Sequence, residues 1–427
     1  MTRPTEPVYY YQGELQMESC KIRSLAEKMT TPFYCYSEAR LLDNVHRCKA
    51  AFEPRSIRVH YAMKANSTLH ILRLIAEQGV GVDLVSGGEM QRALSAGFAP
   101  QHMIFSGVGK SITELNTAIE VGVGQFNVES AEELALLAKL AEQQNARVNV
   151  ALRVNPDVTV NTHKNITTGQ KGNKFGIDMN RVAELSRQYA GNNHLTIEGL
   201  AMHLGSQLCD PEPYRIAIDK MMTMIEQLAQ EGIEITRLDL GGGFGIDYGQ
   251  GSSLDFETIA DLIAIETQNF KGTVIVEPGR SLVADTGVLV SRVNYVKEAE
   301  PNTFVILDAG MNDLMRPALY QAVHPIITVA EPKGSFTKEY DIVGPICEST
   351  DTFVRDYPLS DEIKAGDLVV FQYAGAYCSV MNSTYNSRTI TPEIMLSGGD
   401  AKVIRQPISQ QALMEFELDV TSLQRQV

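Results

Sequence analysis

Eight short apolar runs, each ending on a residue able to do chemistry, constrain this chain more than any other feature. They are Val59–Lys64, Val82–Ser86, Ile104–Ser106, Phe126–Glu129, Val148–Arg153, Gly199–His203, Leu238–Leu240 leading into Gly241-Gly242-Gly243, and Val274–Glu277. Segments of helical spacing, such as Thr68 to Gln78 and Ala131 to Gln144, lie between them. Eight strand–helix units over roughly 250 residues have the size of a (β/α)8 barrel, whose active sites gather at the carboxyl ends of the strands. The polar residues of these runs fall at those ends.

The first five runs start about every 22 residues, and the later spacings widen to between about 35 and 50, as insertions in later loops would produce. The segment Asn155 to Phe175 is polar and without periodicity, the texture of a functional loop. After Arg280 the pattern changes. Val288–Val296, Thr303–Leu307, Ile326–Val329, Tyr340–Val343 and Leu368–Tyr373 are short and separated by Pro, Gly and Asp, which reads as an all-β domain. Val8–Tyr11 and Leu15–Met17 precede the first barrel unit and are free to pair with it. The expected fold is α/β: a TIM barrel over 34–282, with a C-terminal all-β domain over 283–427 completed by 1–33.

A length of 427 residues allows two full cores. No apolar run approaches the ~20 residues of a membrane span, and Met1–Pro7 lacks the apolar core of a secretory signal. A cytoplasmic protein with no membrane partner is expected. The net charge of −15 disfavours nucleic acid, whose phosphates need concentrated Lys and Arg. The six cysteines form no Cys-x-x-Cys pair, so neither a zinc site nor any other metal is expected. Most of them read as small buried hydrophobes.

Lys64 ends the first run, where a lysine of lowered pKa can form a Schiff base with an aldehyde. An ordinary surface lysine closing a strand has the same sequence signature. Gly241-Gly242-Gly243-Phe244-Gly245 follows the seventh run, and adjacent glycines let backbone N–H groups converge on an anion. In this barrel the phosphate site habitually lies after strands seven and eight; a tight turn would need the same glycines. Glu277-Pro278-Gly279-Arg280 ends the eighth run. A carboxylate there can hold a pyridine nitrogen protonated, the backbone of Pro278 and Gly279 can complete a phosphate cradle, and Arg280 can fork onto a carboxylate or phosphate. The alternative is a Glu–Arg pair that supports the rim. His203 and Ser206 end the sixth run, where an imidazole can lie on an aromatic cofactor and a hydroxyl can reach phosphate. A Schiff-base lysine, a pyridinium partner and a phosphate nest together describe pyridoxal 5'-phosphate.

With these motifs in place, Tyr61-Ala62-Met63-Lys64-Ala65-Asn66, His203-x-Gly205-Ser206-Gln207, Gly241-Gly242-Gly243 and Glu277-Pro278-Gly279-Arg280 resemble the alanine-racemase-like, fold-type III decarboxylases from about Thr31 to about Glu393. Asn173–Gly176, Asp308–Pro317, Gly344–Ser349 and Gly375–Tyr377 resemble the branch that decarboxylates meso-2,6-diaminopimelate to L-lysine and carbon dioxide, the last step of lysine biosynthesis. The resemblance implies that Lys64 carries the cofactor, His203 stacks on its ring and Glu277 pairs with its nitrogen. It assigns the phosphate to Ser206, Gly242, Gly243, the backbone around Gly279 and Tyr377. Cys347 would return a proton to Cα, and Arg280, Arg316, Tyr320 and Glu348 would hold the far end of the substrate. It also implies a homodimer in which the loop of Cys347 and Glu348 enters the partner's site.

The chemistry fits these residues. Reprotonation needs an acid of suitable pKa on the correct face, which a perturbed cysteine provides. Two arginines and a tyrosine beside Glu348 suit a distal group that carries both a carboxylate and an ammonium. Two departures from the family pattern stand out. Thr350 occupies a place where glycine often follows Cys-Glu-Ser, and Arg388-Thr389-Ile390-Thr391-Pro392 replaces a common Arg-Pro. The alternatives are a decarboxylase of carboxynorspermidine, ornithine or arginine, an amino-acid racemase, or a barrel that carries the cofactor without turnover.

Overall fold

The computed structural model describes residues 7–158 and 174–418, so most of the polar segment Asn155 to Phe175, with Asn173, lies outside the described residues. The chain forms two compact units, one from Leu42 to Leu282 and one from the residues up to Leu41 together with those from Val283 onward.

The first unit is the barrel. Its strands are Ile57–Ala62, Gly81–Leu84, Met103–Phe105, Gln125–Val128, Val148–Asn155, Leu195–Ala201, Arg237–Asp239 and Thr273–Val276. Each pairs in parallel with the next, and the eighth returns to the first through Val276 beside Val59, so no edge is left open. All eight sequence runs coincide with these strands. The helices between them start and stop on local signals. Ser111 and Glu114 form a capping box, Ser86, Ser130 and Asp255 cap the helices that follow them, and Gly97 and Gly122 close helices at positive φ. Such caps are each worth about 1 kcal/mol. Leu134, Leu137, Leu140 and Ala141 place one buried stripe of Ala131–Gln143 against the sheet.

The eighth unit differs from a regular strand–helix repeat. Its strand is followed by a single turn, Arg280–Val283, whereas the longer helix Glu38–Phe52 precedes the first strand. Asn44 of that helix donates to Leu282 O at 3.0 Å, which ties it beside the end of the last unit.

The barrel interior is polar. His60, Asp83, Gln125, Asn127 and Asp239 are all buried within the strands. Burial holds His60 down to about 3, with His102, Arg237 and Arg58 adding to the effect.

The second unit is built on a nine-stranded sheet. Its central path runs Thr352–Pro358, Glu339–Val343, Thr303–Leu307, Gly287–Glu298, Phe33–Ser37, Glu393–Ser397 and Asp400–Arg405. Ile326–Thr328 and Leu368–Phe371 branch from Gly287–Glu298. The N-terminal strands Val8–Tyr11, Glu14–Met17 and Cys20–Lys21 form their own small sheet, bridged to this unit at Glu14 and Ala330. Val8, Leu15 and Met17 share a core with Phe33, Val288, Val370 and Leu396. The strand that enters the large sheet from the N-terminal side is Phe33–Ser37, antiparallel to Gly287–Val290 and parallel to Glu393–Leu396. An apolar run that opens a helix resembles a barrel unit in sequence, and for that reason a division at residue 34 assigns this strand to the wrong side of its pairing. No helix among the described residues is long and apolar enough to cross a membrane.

Candidate active site

The barrel mouth gathers Lys64, His203, Ser206, Gly242, Gly243, Glu277, Pro278, Gly279 and Arg280 from three strand ends and one turn. Lys64 sits in the turn Met63–Ala65 just past the first strand, and its amine lies 3.2 Å from Asp83 Oδ2. The lysine side chain is 35% exposed, whereas that of Asp83 is fully enclosed. An incoming aldehyde can therefore reach the amine while the carboxylate that aims it stays fixed.

Glu277 follows the eighth strand and is buried, and its Oε1 has no hydrogen-bond partner among the described residues. Burial raises its carboxyl pKa well above the usual range; Asp239 and Asp83 push in the same direction, and Lys64 opposes them. Asp239 is likewise raised by burial, against the hydrogen bonds it receives. A buried, unpartnered carboxyl oxygen is costly unless a donor arrives. A protonated ring nitrogen is such a donor.

His203 follows the sixth strand. Gly242 N donates to its Nδ1 at 3.4 Å, which leaves the proton on Nε2 in a neutral ring. Burial holds its pKa well below the ordinary value, and Lys64 and Arg153 add to this. A neutral imidazole is suited to lying against an aromatic face.

The glycine run is a cradle that no side chain could enter. A Cβ on Gly242 would stand 1.9 Å from Glu277 O, and one on Gly243 would stand 2.1 Å from Gly205 O. Gly241 and Gly243 adopt φ of +65° and +102°. Tyr214 donates to Gly242 O at 2.8 Å from beneath. Arg280 is buried, donating to Ser206 Oγ at 3.0 Å and Tyr248 OH at 2.7 Å, which ties the end of the eighth strand to the loop after the sixth. The nest, the amine and the unpartnered carboxyl oxygen fit the phosphate, aldehyde and ring nitrogen of pyridoxal phosphate.

Arg316, Tyr320, Cys347, Glu348 and Tyr377 belong to the other unit. Arg316 is buried and in contact with His324, Nη1 to Nε2 at 2.7 Å, at the start of the short helix Arg316–Tyr320. Tyr320 ends that helix half-buried, and Tyr377 is half-buried at φ +57°. Cys347 and Glu348 are exposed, yet the backbone of their loop is pinned. Buried Asp351 accepts from Ile346 N and Met311 N, both at 2.6 Å, and Asn386 accepts from Cys347 N at 2.9 Å. Thr350 donates to Glu348 Oε1 at 2.6 Å; together with Tyr385 it lowers the Glu348 pKa.

Sequence reasoning assigned no role to Asp83, Asn127, Asp239, Tyr248, Asp351 or Asn386. Asp83 and Asp239 do lie within the apolar runs, and an aspartate inside a parallel strand is a signal in itself. Tyr248, Asp351 and Asn386 sit in loops whose spacing carries none.

The description "Pyridoxal-dependent decarboxylase, pyridoxal binding domain" matches residues 38–284. The diaminopimelate decarboxylase of Zymomonas mobilis is 40% identical over 420 residues, which is 97% of this chain and 99% of that protein. The diaminopimelate decarboxylase from Helicobacter pylori, solved in complex with L-lysine, superposes with a TM-score of 0.89 at 38% identity and covers 93% of this chain and 99% of its own. The enzyme from M. jannaschii, also in complex with L-lysine, gives 0.91 at 34% identity, covering 97% and 98%. Fold, glycine cradle and near-full-length likeness agree: the chain belongs to the pyridoxal-dependent decarboxylases, in the family of the diaminopimelate decarboxylases.

Proposed function

We propose that the chain uses pyridoxal 5'-phosphate to decarboxylate meso-2,6-diaminopimelate to L-lysine and carbon dioxide, as a cytoplasmic homodimer. The observation that carries the reading is the barrel mouth, where a reachable Lys64 amine stands near the buried Glu277 carboxyl with its unpartnered oxygen. The cofactor, when bound, supplies a sink for the electron pair left on Cα as carbon dioxide departs.

The chain's own residues do the rest. Lys64 binds the aldehyde covalently and Asp83 orients its amine. His203 covers the ring as a neutral imidazole, and Glu277 faces the ring nitrogen. Ser206, the backbone N–H groups of Gly242, Gly243 and Gly279, with Pro278 shaping the turn before Gly279, and the hydroxyl of Tyr377 hold the phosphate, with Arg280 bonded to Ser206 beside them. Cys347 Sγ delivers a proton to Cα. Arg280 and Arg316 take the distal carboxylate, Tyr320 hydrogen-bonds beside it, and the Glu348 carboxylate takes the distal ammonium. Cys347 and Glu348 are exposed in the single chain, which supports their delivery to a second copy's site.

The test is lysine formation from diaminopimelate in a panel with ornithine, arginine and carboxynorspermidine, together with peptide mapping after borohydride reduction. Expected are turnover selective for diaminopimelate and a reduced adduct on Lys64. Turnover of the panel without that preference removes the substrate assignment, and an unmodified Lys64 peptide removes the cofactor assignment.

A further inference from the structure

A buried chain of hydrogen bonds runs through the barrel interior from its amino-terminal end to Glu277, and its direction is fixed by chemistry. Arg237, on the seventh strand, can only donate, because a guanidinium has no acceptor. Its Nη1 lies 3.2 Å from Gln125 Oε1, so the Gln125 amide nitrogen faces the other way and donates to Asn127 Oδ1 at 2.8 Å. That leaves the Asn127 amide nitrogen to donate to Asp239 Oδ2 at 2.9 Å and to Ser106 Oγ at 3.1 Å. Gly241 N donates to Asp239 Oδ1 at 3.0 Å. Both Asp239 oxygens are thus acceptors, yet Asp239 is also hydrogen-bonded to the Glu277 carboxyl. Two carboxylates cannot share a hydrogen bond without a proton, and Asp239, whose two oxygens each already accept an N–H bond, is the better carboxylate of the pair, which places the proton on Glu277.

We propose that Arg237, Gln125 and Asn127 polarise this chain so that Asp239 is the carboxylate and Glu277 the acid in the cofactor-free protein, and that Glu277 gives up this proton when a pyridinium ring seats against it. Asp239 is then a positioning residue for the cofactor's ring nitrogen. The inference rests on the cofactor reading above. The step balances: the Glu277 O–H bond breaks, the carboxylate accepts the ring N–H, and one proton leaves to solvent. A ring that arrives unprotonated takes that proton onto its nitrogen instead.

The other charged groups facing Glu277 are Asp83 from the second strand and Lys64 from the turn after the first. Asp83 favours the acid form and Lys64 opposes it. His203, just past the sixth strand, contributes no charge because it is held neutral.

Apoprotein titrated with pyridoxine 5'-phosphate, which has the ring and phosphate but no aldehyde for Lys64, gives the proton balance when binding is measured in buffers of different ionisation enthalpy. Comparison with Asp239→Asn cancels any proton the ligand itself exchanges. Wild type should release about one proton per site more than the variant, and its affinity should gain up to about tenfold per pH unit relative to the variant. Equal proton counts overturn the proposal. If Asp239→Asn does not fold, infrared spectra of the apoproteins read the same proton: a buried carboxylic-acid C=O band present in wild type and missing from Glu277→Gln is expected, and the lack of any such band overturns the proposal. Neither result touches the cofactor reading, which fails only if pyridoxal phosphate forms no reducible bond to Lys64.

Discussion

The barrel mouth and the Cys347 loop solve two different problems. At the mouth, Asp83 and Asp239 are fully buried within barrel strands, and Glu277, nearly as buried, directly follows one. Groups fixed in this way stabilise charge without having to reorganise during the reaction, and low surrounding dielectric strengthens them. In the loop, Cys347, Glu348, Ser349 and Thr350 are all exposed, and only the backbone is anchored, through Asp351 and Asn386. Cofactor chemistry is common to many substrates and can be built in advance. On the proposed reading the loop recognises substrate, which must be admitted and released, so its residues are left accessible until something covers them. On the proposed reading that cover is a second copy of the chain.

Replacing one residue from each region breaks the comparison most sharply. Lys64→Ala should reduce turnover to background and abolish the borohydride-stable adduct, since no other described amine occupies its place beside Asp83. Cys347→Ala should slow turnover by about 10²–10⁴-fold, the usual worth of a positioned acid, while leaving cofactor absorbance and the Lys64 adduct intact. Loss of cofactor in Cys347→Ala, or full turnover without Cys347, would show that the two regions do not divide the work in this way.

The same division decides what the sequence makes legible. Barrel strands are announced by apolar runs bounded by caps, and chemistry at their ends follows from topology, so Lys64, His203 and Glu277 are visible as candidates; each alone also fits a structural residue, and only together do they point to a cofactor. The Phe33–Ser37 strand is misassigned because its partners lie about 250 and 360 residues away in sequence, beyond any local pattern. Asp239 and Asn127 are visible but silent, because their meaning depends on hydrogen bonds across the barrel. The Cys347 loop is readable only through family resemblance, since neither Asp351 nor Asn386 betrays its contact with the loop backbone.

Burial also has a cost at the mouth that the exposed loop avoids, and Glu89 measures it. This residue lies in the helix Gly87–Ala96, and burial raises its carboxyl pKa to about 7, with Asp83 adding and Lys64 opposing. In the unfolded chain the same carboxyl ionises near ~4.3. The folded state therefore holds the extra proton between those values. The stabilisation this gives is fully present below the unfolded pKa and is lost as pH rises through about 7. Glu89→Gln should be the more stable protein above neutral pH, by on the order of 2–3 kcal/mol, with the gain shrinking toward pH 4. Urea denaturation at several pH values reads this directly; a gain that does not change with pH would rule out ionisation as its source.

The smallest effect is expected in the loop, at the position where the family often has glycine. Thr350 Oγ1 holds Glu348 Oε1 at 2.6 Å, and this contact, together with Tyr385, keeps the Glu348 carboxylate ionised to lower pH than usual. Because Glu348 is exposed, water replaces the lost partner in Thr350→Gly, and the carboxylate survives with less orientation. KM for diaminopimelate should rise a few-fold with kcat unchanged. The Glu348 carboxyl should then take up its proton at higher pH, so the acid-side rise in KM should begin at higher pH in the variant than in wild type. A fall in kcat with KM constant would instead place Thr350 in the delivery of the Cys347 proton, and would mean that the loop, like the barrel mouth, depends on preset geometry.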